Sequence, residues 1–397
     1  MTARALYLHV PFCARKCAYC DFASFETPRE DPLMDAYAAG LERLVVESLD
    51  AGILGTGGTA YVGGGTPTLL ADALPDLIAT VKRHCDPYEL TSEANPDSLT
   101  FDMSLKLRES GATRVSVGVQ SVHDDELSVL GRIHDGRRAL ETLGQAVSAG
   151  LDVSADLMCA IPLQTSESWI SSLDSVVDTG VSHVSVYPLM IEEGTPFARA
   201  VDKGEIPLPD DNDEASFMEQ AASFLVSHGF SRYEVASYAL PGHSCRHNQA
   251  YWTGASYLGL GTAASSMFNL DEFEALIHAF PQLERPSSEI ARIRLTCTSD
   301  RRFLASHHRL ADQSFDVELL TEREALAEDL MLGARMSCGP TKELVSRARD
   351  AMGFVVDDTL ASLIDDGYLT ADLAPTEKGW LLGNELYRRL WDLASCS

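Results

Sequence analysis

Long hydrophobic runs are missing from this chain of 397 residues, and no apolar stretch is long enough to cross a bilayer as a helix. The opening residues, MTARALYLHVPF, lack the apolar core and small-residue cleavage site of a signal peptide. Basic residues are scarce: 31 Lys and Arg stand against 59 Asp and Glu, a net charge of −28. Such a field repels polyanions and argues against a nucleic-acid partner, while leaving room for a small anion in a local basic pocket. Nine cysteines, an odd number without disulfide-like spacing, point to a reducing cytoplasmic setting. Short repeats and low-complexity segments are absent as well.

Hydrophobic residues make up 45% of the chain, an ordinary value for a soluble protein, and the length suggests two or three domains. Candidate strands at Ala5–His9, Thr59–Val62, Leu90–Glu93, Arg114–Val119, Asp152–Leu157 and His183–Tyr187 alternate with candidate helices. The helices are Met34–Ala51, Leu74–His84, Met103–Ser110, Gly136–Ala149, Glu167–Thr179 and Asp213–His228. This alternation implies an α/β fold with a parallel sheet, six units forming a full or partial barrel whose chemistry lies in the loops after the strands. From about Asn269 the pattern breaks. Residues 269–315 read as an irregular, charged connection, and residues 316–397 as a mainly helical domain of winged-helix flavour. The latter opens on a capping box at Thr321–Glu324 and holds a hairpin around Gly367–Thr376. Its many aspartates disfavour a DNA-binding wing.

Three cysteines, Cys13, Cys17 and Cys20, are spaced C-x3-C-x2-C after the first candidate strand. Three thiolates can hold three irons of a cubane and leave the fourth open to a small molecule. A zinc site completed by His9 or Asp21 is the alternative from spacing alone. The other six cysteines (Cys85, Cys159, Cys245, Cys297, Cys338 and Cys396) read as buried small hydrophobes. Further candidates collect at the same rim. Gly63–Thr68, GGGTPT, is a glycine-rich turn that lets backbone approach a ligand, and it lacks the Lys of a P-loop. Glu93 ends one strand, Gln120 follows another, Arg132 could clamp a carboxylate, and Asp156 could bind ribose hydroxyls.

Taken together, the segments Tyr7–Cys13, Lys16–Phe22, GGGTPT, Gly118–Ser121, Leu130–Arg132 and His247–Trp252 resemble the radical S-adenosylmethionine proteins. The likeness lies in the branch shared by oxygen-independent coproporphyrinogen III oxidases and haem chaperones. It implies a partial (β/α)6 TIM-like barrel over residues 1–268, with a haem-motif segment at 243–268. It also implies that Cys13, Cys17 and Cys20 ligate a [4Fe–4S] cluster, and that S-adenosylmethionine chelates the open iron and is reductively cleaved to methionine and a 5′-deoxyadenosyl radical. By matching position, Tyr7, Gly64 and Glu93 would contact one S-adenosylmethionine. Gly65, Thr66, Gln120, Arg132 and Asp156 would hold a second, and Tyr19 would pack near the adenine.

Within that branch the haem chaperone is favoured over the oxidase. Phe22 stands where the oxidases carry a further cysteine, Cys13 lies too near the start for their N-terminal extension, and His247-Asn248-Gln249-Ala250-Tyr251-Trp252 resembles the chaperones' HNxxYW signature. An imidazole can ligate haem iron, and Tyr251 and Trp252 can cover a macrocycle; alternatively, His247 braces a turn and the aromatics fill core. Arg246 is a candidate propionate partner. The resemblance implies a haem-accepting apoprotein, a flavodoxin- or ferredoxin-type electron donor and transient association with membrane haem proteins; a radical enzyme acting on tRNA is disfavoured by the −28 charge. The chain departs from the chaperone pattern at Cys159, Ala160 and Leu163, where Tyr, Gly and Gly are usual, and at Ser265, where His is usual.

Overall fold

Val-, Leu- and Ala-rich segments that are covered on both faces pair as parallel strands, and here they build one twelve-stranded sheet. The structure, a computed structural model, describes residues 2–207, 211–269 and 273–395; Cys396 lies outside them. The strands are β1 (Ala3–Val10), β2 (Leu54–Gly64), β3 (Glu89–Ala94), β4 (Arg114–Gln120), β5 (Asp152–Cys159) and β6 (His183–Pro188). They are followed by β7 (Ser231–Arg232), β8 (Ser237–Ala239), β9 (Tyr257–Leu260), β10 (Ser265–Asn269), β11 (Ile290–Cys297) and β12 (Phe315–Thr321). Their spatial order is β12-β11-β10-β9-β1-β2-β3-β4-β5-β6-β8-β7. β9 and β1–β6 run parallel, and the strands at either end are antiparallel. The parallel set does not pair β6 with β9, so the barrel is open along one side.

The crossovers are α1 (Pro32–Asp50), α2 (Ala73–Cys85), α3 (Phe101–Ser110), α4 (Gly136–Ser148) and α5 (Ser166–Asp178), and α6 (Asp211–Ser227) follows β6. Asp31, Thr100, Asp135 and Thr165 cap α1, α3, α4 and α5 by accepting from first-turn N–H groups. Leu41, Leu44, Leu77, Leu107, Leu143 and Leu173 of these helices share one core with Leu6, Val62, Leu90, Val117 and Val184 of the strands. Each such side chain stabilises the fold by roughly 1.5–3 kcal/mol relative to exposure.

Residues 269–315 are not an irregular connection: β11 and a short helix, Arg301–Leu304, lie there. The charges that read as irregular are paired with the neighbouring strand and with the helix that follows it. Arg292 meets Glu328 and Asp329 at 2.9 and 2.8 Å, and Arg294 meets Glu318 at 2.5 Å as well as Glu328. After the short α7 (Arg246–Trp252), the C-terminal part contains α8 (Glu322–Gly333), α9 (Lys342–Met352), α10 (Val355–Asp365) and α11 (Gly383–Trp391) around a separate core. Both bonds of the Thr321–Glu324 capping box are formed. The hairpin expected around 367–376 reduces to one bridge, Leu369 to Pro375. Among the described residues, no helix is long and apolar enough to cross a membrane.

Candidate cofactor site

The first strand–helix loop carries the thiols and is pinned at several points. Cys13 ends a two-residue strand, Phe12–Cys13, that pairs in parallel with Phe25–Glu26. The Ala18 N–H donates to the Leu130 carbonyl at 3.1 Å, and the Phe197 N–H donates to the Ala18 carbonyl at 2.9 Å. Cys13, Cys17 and Cys20 all line a cavity of about 430 Å³ at the C-terminal ends of the parallel strands. Thr66 donates its hydroxyl to the Cys13 sulfur at 3.7 Å, and Arg132 donates Nη1–H to the Cys17 sulfur at 3.3 Å. Burial pushes the Cys13 and Cys20 thiols up from their ordinary values, so metal binding must supply the free energy of deprotonation.

A Cβ at Gly65 would stand 3.0 Å from the Cys13 sulfur and 2.6 Å from the Phe12 carbonyl oxygen, so only glycine lets the GGGTPT turn run this close to the thiols. Among the described residues, no three His, Cys, Asp or Glu side chains converge as the ligands of one ion. Cys13, Cys17 and Cys20 line one cavity beside Gly64 and Gly65, and three thiolates that leave a fourth position open fit an iron–sulfur cubane.

Behind the thiols, Gly64, Gly65, Glu93, Gln120, Arg132, Asp156 and Tyr19 line the same cavity. Glu93 accepts the Gly64 N–H at 2.9 Å and the Tyr61 hydroxyl at 3.0 Å. Desolvation still pushes its carboxyl up to about 7, aided by the nearby Asp156 charge. Asp156, bonded by the Ser116 hydroxyl at 3.0 Å, is raised by burial to about 6. Two carboxylates and one guanidinium thus face a shared space that suits a zwitterion with an extra positive charge. Arg132 also donates to the Asn95 side-chain carbonyl at 2.9 Å. Gln120 sits at φ 68°, a left-handed conformation at a strand end of the kind that collects at ligand sites. Tyr19 is half-buried close to Arg132, Cys17 and Cys20.

Thr66 sits behind Cys13, and Tyr7 lines a neighbouring cavity with Gly64, Glu93 and Tyr251 rather than the thiol chamber. Tyr61, Asn95 and Ser116 complete the polar wall without having been singled out. Their signal is alternation: Ala60 and Val62 point into the core, so Thr59 and Tyr61 point the other way.

The His247–Trp252 segment forms α7. Glu89, at the start of β3, accepts the N–H groups of Arg246 and His247 at 3.0 and 2.8 Å and so anchors the helix N-terminus. His247 is 1% exposed and lines neither chamber. Its Nδ1 lies 2.9 Å from the Thr59 hydroxyl, its ring stacks on Tyr61 with centroids 5.2 Å apart, and its Nε2 has no partner. Burial lowers its pKa to about 3, so the imidazole is neutral. Arg246 lies over the Tyr88 ring at 5.2 Å, outside both chambers. Tyr251 and Trp252 face a larger cleft of about 1690 Å³ on the open side of the barrel, bounded by Val186–Ile191, α7 and the C-terminal helices. Tyr187, Pro188, Met190 and Asn248 line both spaces. Of the remaining cysteines, Cys85, Cys159, Cys245 and Cys297 are buried, whereas Cys338 is exposed, contrary to its reading as core.

A parallel α/β barrel with three thiols in its first strand–helix loop defines the scaffold on which radical S-adenosylmethionine chemistry is built. The family model of the Radical SAM superfamily matches residues 7–176. The chain is 40% identical over 270 residues to a heme chaperone HemW of Mycobacterium tuberculosis, covering 65% of this chain and 68% of that one. It is 29% identical over 400 residues to the heme chaperone HemW of Bacillus subtilis, covering 97% and 98%. The solved coproporphyrinogen III oxidase of Escherichia coli, HemN, described as a radical SAM enzyme, superposes with a TM-score of 0.74 over 99% of this chain and 90% of that one, at 20% identity. The chain belongs to the radical S-adenosylmethionine superfamily and, within it, to the family of the HemW haem chaperones.

Proposed function

We propose that this chain binds haem and passes it to an acceptor apoprotein, with a [4Fe–4S] cluster and S-adenosylmethionine in the inner cavity serving the transfer. Haem is cargo in this account. The observation that carries it is α7: this one short helix, bearing the His247–Trp252 motif, forms part of the wall between the thiol cavity and the large lateral cleft, with Asn248 on both. The names of the relatives support the same reading.

Cys13, Cys17 and Cys20 would hold the cluster, and Arg132 offsets thiolate charge at Cys17. Glu93 and Asp156 would meet the positive charges of S-adenosylmethionine, Gln120 and Ser116 its hydroxyl and carboxyl groups, and Tyr19 its adenine. When bound, that pair of cofactors supplies one-electron reductive cleavage of a carbon–sulfur bond, with the electron entering from a flavodoxin- or ferredoxin-type donor. His247 acts as a positioning residue that holds Tyr251 and Trp252 toward the cleft. Phe22, 64% exposed at the mouth of the thiol cavity, supports a chaperone over an oxidase because no fourth thiol stands there.

The test is anaerobic reconstitution followed by incubation of the hemin-loaded protein with an apo-cytochrome. The account expects the acceptor to gain haem while this protein loses its Soret band, and coproporphyrinogen III to be recovered unchanged. Conversion of coproporphyrinogen III to protoporphyrinogen with no haem transfer would overturn it.

A further inference from the structure

In a chain this acidic, arginines normally find carboxylates, and the lateral cleft mostly obeys. Arg294 pairs with Glu318 and Glu328, and Arg388 with Glu385 and Asp392. Two of the arginines lining it do not. Arg232 lies 4.3 Å from the Trp380 ring centroid and 5.4 Å from that of Tyr238, donating Nη2–H only to the Val235 carbonyl. Arg335 lies 4.3 Å from the Tyr387 ring and 5.3 Å from that of Trp252. Among the described residues neither reaches a carboxylate, and the buried Nε–H of each has no acceptor.

A third donor joins them. The Tyr387 hydroxyl is buried without a partner, and its ring is 6% exposed on the same cleft wall. Tyr387 feels the positive charge of Arg335, which lies over its ring, and of Arg232, together with the negative charge of the buried Glu234. Buried donors without acceptors are costly unless a ligand completes them. Paired guanidiniums over aromatic faces match planar carboxylates attached to an aromatic body.

One wall of the cleft is apolar, while carboxylates such as Glu234, Glu328 and Glu385 stand elsewhere on its lining. Tyr187, Met190, Ile191 and Leu382 on its walls are 43%, 64%, 41% and 50% exposed, large side chains left uncovered by the fold. Clustered exposure of this kind marks a binding surface. The volume of about 1690 Å³ exceeds the usual range for small-ligand pockets and admits a macrocycle.

We propose that Arg232, Arg335 and Tyr387 form a carboxylate cradle for the two propionates of haem, with the macrocycle lying between Trp252 and the apolar wall at Met190 and Ile191. This assignment rests on the haem-chaperone reading and locates its cargo site. Binding is recognition only; no bond is made or broken.

The test uses the full-length wild-type protein titrated with hemin and with hemin dimethyl ester, whose carboxylates are capped. Losing two charge-assisted contacts should weaken the ester by roughly tenfold or more relative to hemin. Arg232→Gln with Arg335→Gln should abolish that preference, and Tyr387→Phe, which removes one oxygen and little packing, should reduce it severalfold. The ester comparison needs no variant, so a folding defect in the double variant leaves the result readable. If wild-type protein binds hemin and ester alike, or the double variant folds and keeps its preference, the cradle is wrong and the haem reading stands. If wild-type protein binds no hemin, that reading falls and the cradle with it.

Discussion

Leu163 and Ala160 hold left-handed backbone, at φ 76° and 59°, where the chaperone-like pattern carries glycine. A Cβ in that conformation costs roughly 1–2 kcal/mol, part of which is returned by the stiffer unfolded chain. Leu163 is 60% exposed, so little packing is lost with its side chain. Leu163→Gly should therefore raise stability by about 0.5–1 kcal/mol, measured by denaturant unfolding. At the same scale, the raised carboxyls of Glu93, about 7, and Asp156, about 6, predict a pH dependence. At pH 6 both are partly protonated; a positively charged ligand favours the ionised form, so binding releases protons. Affinity for S-adenosylmethionine should rise as pH goes from about 6 to about 7.5, and calorimetry in buffers of different ionisation enthalpy should register the released protons. Glu93→Gln should flatten the upper part of that rise.

His247 gives a third residue-scale prediction. Replacing it by alanine empties a site between Tyr61 and Tyr251 and strands the Thr59 hydroxyl. The expected loss is about 3 kcal/mol, seen as a lower Tm. A direct bond from His247 to haem iron would instead show as a shifted Soret maximum in His247→Ala at unchanged Tm.

At the level of elements, legibility followed the range of the interactions. β1–β6 announce themselves through local apolar runs, and Arg114–Gln120 and His183–Pro188 begin where the sequence pattern places them. β11 alternates as a half-buried strand should, with Ile293, Leu295 and Cys297 inward, but Arg292 and Arg294 make its other face look like a charged surface segment. Their partners Glu328 and Asp329 lie more than thirty residues away on α8. Glu89 and α7 escaped for the same reason, since the carboxylate and the amides it caps are 157 and 158 residues apart. The thiol site was readable because C-x3-C-x2-C is local; the cleft was not, because Arg232, Arg335 and Tyr387 meet only in three dimensions. Removing one partner of the buried Arg292 network should be severe. Arg292→Ala leaves Glu328 and Asp329 with less compensation and should cost about 3–5 kcal/mol, visible as separate melting of the C-terminal helices from the sheet.

For the whole molecule, one architecture explains why two chambers coexist. A barrel that stops short of closure leaves a lateral opening between β6 and β9. The C-terminal helices cover that opening without filling it, and their own core is separate from that of the sheet. The thiol cavity and the cleft are therefore neighbours across α7. That adjacency would let the cluster's state influence haem binding. The cluster itself is the premise on which this arrangement depends. Anaerobic reconstitution, followed by metal and sulfide analysis and electron paramagnetic resonance of the reduced protein, tests it most directly. The account predicts about four irons and four sulfides per chain and a signal that changes when S-adenosylmethionine is added. Zinc bound by Cys13, Cys17 and Cys20, with no labile sulfide, would contradict it.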